Sequence, residues 1–329
     1  MRQFILALLF CLSASAQTFV QAAANDNATA ATTIAATLPN PTTTGNCKIV
    51  YTSIDTTCSN AAAGGTYAVT DSGGNVYTPI VPNGTGYVIG TKMTTVGTGY
   101  NSVPTVTSNC TIPGVLAAST SGVSPNITVS SVIVTTAPSQ CGPGLPTIVF
   151  SGGTPITGNT AAAVVTAVGV QATQCSASFY SPNITGSSSD VTTFTHPSFA
   201  FHGLVVAEMG AVTTTPFDAE ADAETTSSMS SVTTGAYTTA QASEIAFIGS
   251  ALVNTALTWA PPSGWFTAAS TSSAANHYGI TMAYKIFSSV QPGATQVSSV
   301  ASKSAAFDSI LATFKASAVT GRRRIIVTQ

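Results

Sequence analysis

Four acidic residues, Asp218, Glu220, Asp222 and Glu224, alternate at period two. On a strand they would share one face, and a hard cation such as calcium would relieve their repulsion. The spacing lacks the glycine and terminal glutamate of an EF-hand loop, and a solvated acidic loop is the competing reading. Hydrolysis of a sugar linkage would need two carboxyls facing each other across a cleft, such as Glu208 with Asp218 or Glu244, and nothing in the sequence places them together. His202 and Glu208 fall on one face of a strand but about 20 Å apart, too far for a dyad. No serine sits in a G-x-S-x-G elbow. His196, His202 and His277 accompany no Cys-x-x-Cys pair, which argues against a zinc site. Trp259, Trp265, Phe266 and Tyr278 could form an aromatic platform for a glycan, or plug a core. These residue types point away from an enzyme, with no cofactor and calcium the one metal to consider.

The cysteines carry a second kind of chemistry. Met1 to Ala16 has a positive start at Arg2, an apolar run over 4–12 and a small-x-small site at Ala14-Ser15-Ala16. This is the pattern of a secretory signal peptide, too short for a membrane span, with cleavage before Gln17. Cys11 invites a lipoprotein reading, but bulky Phe10 precedes it. No other stretch is long and apolar enough to span a bilayer. Export favours disulfides among Cys47, Cys58, Cys110, Cys141 and Cys175. The expected pairs are Cys47–Cys58, closing a short loop, and Cys110–Cys141. Cys175 is then odd, a buried thiol or an intermolecular link. Asn27, Asn83, Asn109, Asn126 and Asn183 begin glycosylation triplets.

Only 6% of the residues are charged and the formal net charge is −2, against about a quarter charged in an ordinary globular chain. So few cations exclude a nucleic-acid footprint. A low-charge Ser/Thr surface favours close association between protein surfaces. Valine, isoleucine and aromatics recur at strand spacing, which predicts a folded β protein.

The longest strand pattern runs from Phe199 to Val212, with Phe199, Phe201, Val205, Ala207 and Met209 on one face and His202, Leu204, Val206 and Glu208 on the other. Phe307–Phe314 echoes it. SASFY at 176–180 precedes the first and GITMAYKIF at 279–287 the second, so two related β-halves are expected. Residues 33–38 and 47–54 are strands, the latter with Lys48 facing outward. Asp71–Asn75 is a turn between strands. Residues 84–174 differ in texture. Gly97-Thr98-Gly99-Tyr100 before Val103-Pro104-Thr105-Val106 is matched by Cys141-Gly142 before Leu145-Pro146-Thr147-Ile148, which reads as a two-repeat β module inserted in a loop. Residues 213–229 read as a polar connector. The second half has strands expected at 231–235, 244–253, 264–268, 278–287, 295–300 and 306–315. The domains expected are a signal peptide (1–16), a first half in two parts (17–83 and 175–213) around the insertion (84–174), a second half (214–320) and a basic turn with a C-terminal β segment (321–329).

VTDSGGNVYTPI at 69–80, FYSPNITGSSSDVTTFT at 179–195, GLVVAEMGAVTTTPFDAEA at 203–221 and GITMAYKIFSSV at 279–290 together resemble secreted bacterial β-sandwich modules of large exported and surface proteins. The resemblance covers residues 18–82 and 175–316. The insertion resembles the glycine-rich β repeats of phage tail and bacterial surface proteins, with Cys141-Gly142 departing from the Gly-Tyr of that pattern. The resemblance implies export and a structural or adhesive role, and brings no catalytic residues.

The expected fold is all-β, a jelly-roll or immunoglobulin-like sandwich of two related halves with the inserted module. The expected function is a non-enzymatic, extracellular or cell-surface structural protein that self-assembles into a homo-oligomer or open homopolymer. The joint would be a terminal segment added as a strand to a neighbour. Residues 18–38 are one such segment. Arg322-Arg323-Arg324 followed by Ile325, Ile326 and Val327 is the other, with the arginines meeting the 218–224 acids of the next subunit. The alternative is a glycan-binding adhesin module using Trp259, Trp265 and Tyr278. A polysaccharide-acting enzyme comes third.

Overall fold

The computed structural model describes residues 17–62, 67–142, 144–153, 155, 158–253, 258–273, 278–301 and 305–317. The chain begins with β1 (Thr18–Asn27), β2 (Ala31–Thr37), β3 (Cys47–Ile54), the one-turn helix α1 (Cys58–Ala62), β4 (Ala68–Asp71) and β5 (Thr78–Ile80). Then follow β6 (Tyr87–Thr95), β7 (Gly97–Tyr100), β8 (Thr105–Ser108), β9 (Val115–Ser121), β10 (Ile127–Thr136), β11 (Ile148–Ser151) and β12 (Ala162–Gln171). The path returns through β13 (Cys175–Ser181), β14 (Val191–Phe199) and β15 (His202–Gly210). It ends with β16 (Val212–Met229), β17 (Ser231–Thr233), β18 (Ile245–Val253), β19 (Thr258–Ala260), β20 (Phe266–Ser273), β21 (Tyr278–Ile286), β22 (Val297–Ala301) and β23 (Ala305–Ala316).

The protein is all-β, with antiparallel sheets in layers. The first sheet runs β1-β15-β3-β13-β12-β6, with β5 also on β13; the second runs β2-β14-β4. The third runs β16-β23-β18-β21-β20 and the fourth β17-β22-β19. Within the insertion, β11-β8-β9-β10-β7 form a sheet of their own, while β6 and β12 extend the first sheet.

Side-chain alternation places the layers. Val50, Ile54, Leu204 and Val206 face the second sheet and meet Ile34, Ala36 and Phe194. Their neighbours Ile49, Tyr51, Val205, Ala207 and Met209 face the third sheet and meet Ile245, Phe247, Ile280 and Phe314. Beyond the third sheet, Ala246, Ile248 and Leu311 pack with Trp265 and Tyr237 toward the fourth. The order is therefore second, first, third, fourth, and the inner strands β3, β15, β18 and β23 of the two central sheets are covered on both faces.

The central layers interlock through two glycines. Tyr51 lies against Gly249, where any Cβ would strike its ring. A Cβ on Gly203 would come within 2.8 Å of Ile280 Cγ2.

Several expectations are corrected. Phe199–Val212 is not one strand: β14 ends at Phe199, β15 spans His202–Gly210 and β16 begins at Val212. Phe201 (φ 52°) and Ala211 (φ 57°) take left-handed backbone at the two breaks. The supposed connector 213–229 is almost wholly the long edge strand β16. Residues 18–38 are not a spare segment, because β1 pairs with β15 and β2 with β14 in their own chain. Cys47 and Cys58 are not joined. Cys47 opens β3 and Cys58 lies past its other end, and the strand's length of ~23 Å exceeds disulfide reach. Cys58 bonds instead to Cys175, and Cys47 is the free, buried thiol. Cys110 is bonded to Cys141.

Replacing Gly249 by alanine overpacks the central interface and should cost ~1–3 kcal/mol. The check is the urea midpoint, against G235A, whose added Cβ meets only a backbone oxygen at 3.9 Å and should leave the midpoint near wild type.

Candidate functional site

The acidic row lies where the insertion folds back on β16. Ala219, Ala221 and Ala223 turn into the core beneath the third sheet, so period two sends Glu220, Asp222 and Glu224 the other way. The insertion and its flanks supply donors to them. Thr85 Oγ1 donates to Asp222 Oδ2 at 2.8 Å, and the Gln171 N–H donates to Glu224 Oε2 at 3.1 Å. The Asn83 N–H donates to Glu220, whose Oε2 is buried without a partner. Burial raises all three carboxyls above their usual range, and Glu220, with the charge of Asp222 beside it, reaches about 8. Asp218 is set apart by a register shift. It accepts from the Ala240 N–H and pairs with Lys315. Among the described residues, no group of three or more His, Cys, Asp or Glu could hold a metal ion.

Of the proposed carboxyl pairs, Glu244 is brought beside Asp218 and raised by burial and by that neighbour. The two are hydrogen-bonded rather than separated by the gap that sugar hydrolysis requires. Glu208 stands elsewhere, fully buried, accepting from Gln21 Nε2, Asn46 Nδ2 and the Thr43 N–H. His202 packs against His196 with ring centroids 4.4 Å apart and the rings tilted by 51°. Burial lowers both imidazoles, His196 to about 4.

A groove runs beside the acids. It comprises two clefts of about 540 Å³ and 330 Å³ that share Thr78, Pro79 and Leu145. The larger follows β4, which among the described residues pairs only with β14, and is lined by Val69, Val76, Val164 and Phe179. The smaller ends at Phe217, Asp218 and Glu220. Val76 is 80% exposed.

The aromatic platform is not assembled. Trp265 is 6% exposed, and its Nε1 donates to Gln296. Trp259 is half-buried, packed on the core beneath the third sheet. Tyr278 opens β21, and its side chain lies outside the described residues. A different ladder exists at the sheet margin. Phe266, 65% exposed, packs on Tyr284 at 5.7 Å, and Tyr284 stacks on Phe19 at 4.2 Å. Arg322, Arg323, Arg324, Ile325, Ile326 and Val327 lie outside the described residues, as do His277 and the signal-peptide segment.

Lys48, expected to face solvent, is fully buried between the first and second sheets. Its Nζ contacts Oδ2 of Asp71 and donates to Oδ2 of Asp190 at 2.8 Å, and all three side chains are fully buried. Asp71 also accepts from the Asn75 N–H and Nδ2 and from Tyr77, each at 2.9 Å. Burial pushes the Asp71 carboxyl up, but the hydrogen bonds from Lys48 and Asn75 prevail and hold it below its usual range. Thr42 donates to Asp190 Oδ2, whose Oδ1 is buried and unpartnered. The signal in the sequence is Lys48 as the one charged residue of β3.

Compared with protein-family models, curated proteins and solved structures, the chain has no match. No helix among the described residues is long and apolar enough to cross a membrane.

Opposed pH effects follow from these environments. A carboxyl raised from 4.5 to about 8 favours folding fully below 4.5, and that contribution is lost as pH rises toward 8. An imidazole lowered from 6.5 to about 4 favours folding above 6.5, and that contribution is lost as pH falls toward 4. Urea melts across this range should show both flanks. E220Q should lower the alkaline slope, by at most ~1.4 kcal/mol per pH unit.

Proposed function

We propose that this chain is a non-enzymatic structural protein of the cell exterior, built from two jelly rolls in tandem. We further propose that its copies join by strand addition. The fold part of this reading rests on strand order. With β6–β12 left out and strands counted within each half, both halves read 1-8-3-6-5 in one sheet and 2-7-4 in the other. That is close to the double Greek key of a jelly roll. Export rests on the N-terminal signal pattern and agrees with two disulfides.

The observation that carries the assembly reading is the groove. Its apolar end follows the unpaired edge of β4, and its other end holds Asp218 and Glu220. The segment Arg322–Val327 has the matching order, three arginines and then three β-branched apolar residues. We assign the occupant as this segment from a second copy, its backbone adding to β4 and its arginines meeting the acids. Such a contact is heterologous, and repetition gives an open fibre. An arriving arginine displaces the proton that burial keeps on Glu220, so joining strengthens as pH rises toward about 8.

Sedimentation of the full chain should show concentration-dependent polymers. A chain ending at Gly321, and V76R at an exposed groove position, should stay monomeric. A wild-type chain that is monomeric at every concentration and pH ends the reading. The Phe266–Tyr284–Phe19 ladder favours a second reading, an adhesin that stacks sugar rings. A glycan array should then give binding that F266A abolishes.

A further inference from the structure

The Lys48–Asp71–Asp190 cluster joins two sheets of the first half. Lys48 is on β3 of the first sheet, Asp71 ends β4 of the second, and Asp190 precedes β14. A buried ion pair is weak support for a fold, because desolvation offsets its attraction. This fold does not require charge at that position. In the second half, Ala246, the second residue of β18 as Lys48 is of β3, sits in an apolar core with Ile248, Trp265 and Leu311. Among the described residues, only the first half places an amine against a carboxyl where water is excluded and a second carboxylate touches the same nitrogen.

We propose that Lys48 and Asp71 condense into an intramolecular amide, with Asp190 carrying the protons. The proposal is independent of the assembly reading. One ammonium proton passes through Asp190 to Oδ2 of Asp71, leaving a neutral amine beside a neutral acid. This transfer runs against the hydrogen bonds from Lys48 and Asn75 that hold Asp71 below its usual range, and the fixed contact of the two groups has to offset that cost. Nζ then bonds to Cγ of Asp71. Negative charge gathers on Oδ1, where the Asn75 backbone N–H already donates at 2.9 Å, as an oxyanion donor must. A second nitrogen proton passes through Asp190 to Oδ2, which also holds donors from Tyr77 and Asn75 Nδ2. The Cγ–Oδ2 bond breaks and water leaves, with an exit beside Asn75 and Tyr77 into the larger cleft. Ammonium and carboxylate become one amide and one water, and Asp190 ends as it began. No oxidant, metal or co-substrate is needed. Fixed contact between the reacting atoms supplies the drive, since effective molarities of ~10⁵–10⁸ M are reached by oriented groups.

The test is mass spectrometry of the reduced, denatured wild-type chain after proteolysis. The fragment holding both Lys48 and Asp71 should be lighter by one water. Trypsin should fail to cut after Lys48, and an amine-reactive label should miss it while marking Lys92. K48M and D190N should abolish the water loss, and D71N should lose one ammonia in its place. A wild-type fragment of unreduced mass, cut and labelled at Lys48, overturns the proposal whether or not any variant folds. Fragments lighter by one water in D190N leave the amide but remove Asp190 from its role.

Discussion

The inner strands of the first sheet are covered on both faces, and most of the structure answers to that constraint. A strand such as β15, buried at all nine positions, has no wet side on which to put a polar group. Every polar side chain on it or its neighbours must find a partner within the protein or bear the cost of desolvation. Glu208 therefore collects three donors from the segments around β1 and β3. Lys48 takes two carboxylates. Tyr51, crossing into the third sheet, donates to Asp308, a fully buried carboxyl that burial raises to about 7. The two halves are thus held by an apolar seam with few polar contacts through it, and Gly203 and Gly249 let the seam close.

The same covering decides what the insertion can do. The first half splits its counterpart of the β20–β21 hairpin: β5 ends at Ile80 and β13 does not begin until Cys175. A long excursion adds little closure entropy, because that cost grows only with the logarithm of length. Its ends still have to return in register. β12 pairs with the start of β13, and the Cys58–Cys175 bond ties that start to α1. The excursion then covers the outward face of β16, which is why the acidic row is partly buried and its carboxyls are raised. The groove exists because this cover is incomplete between β4 and β12.

The alternation of β-branched and small residues made the strands legible, and with them the all-β class. It could not show whether a polar face would be wet. A lysine ordinarily faces outward, and the carboxylates that hold Lys48 inside stand 23 and 142 positions away. The Cys58–Cys175 bond spans 117 residues and was hidden for the same reason, while local spacing favoured a pairing that β3 itself keeps apart. Phe201 and Ala211 broke an unbroken apolar pattern by backbone conformation, which neither side chain announces. Of the aromatics, Trp265 followed its size into the core. Phe266, one residue on, took the opposite face and became the exposed one.

The ties of the molecule are unevenly distributed. All five cysteines after Cys11 lie at or before Cys175, and the Lys48 cluster is in the first half as well. The second half is held across its two sheets mainly by Ala246, Ile248, Trp265, Leu311 and Phe307. Apolar burial stabilises at equilibrium, but it resists shear only over the short distance within which packed atoms stay in contact. Covalent ties bear load over any extension. The first half, with its insertion, carries both disulfides, and the second half relies on apolar burial across its two sheets.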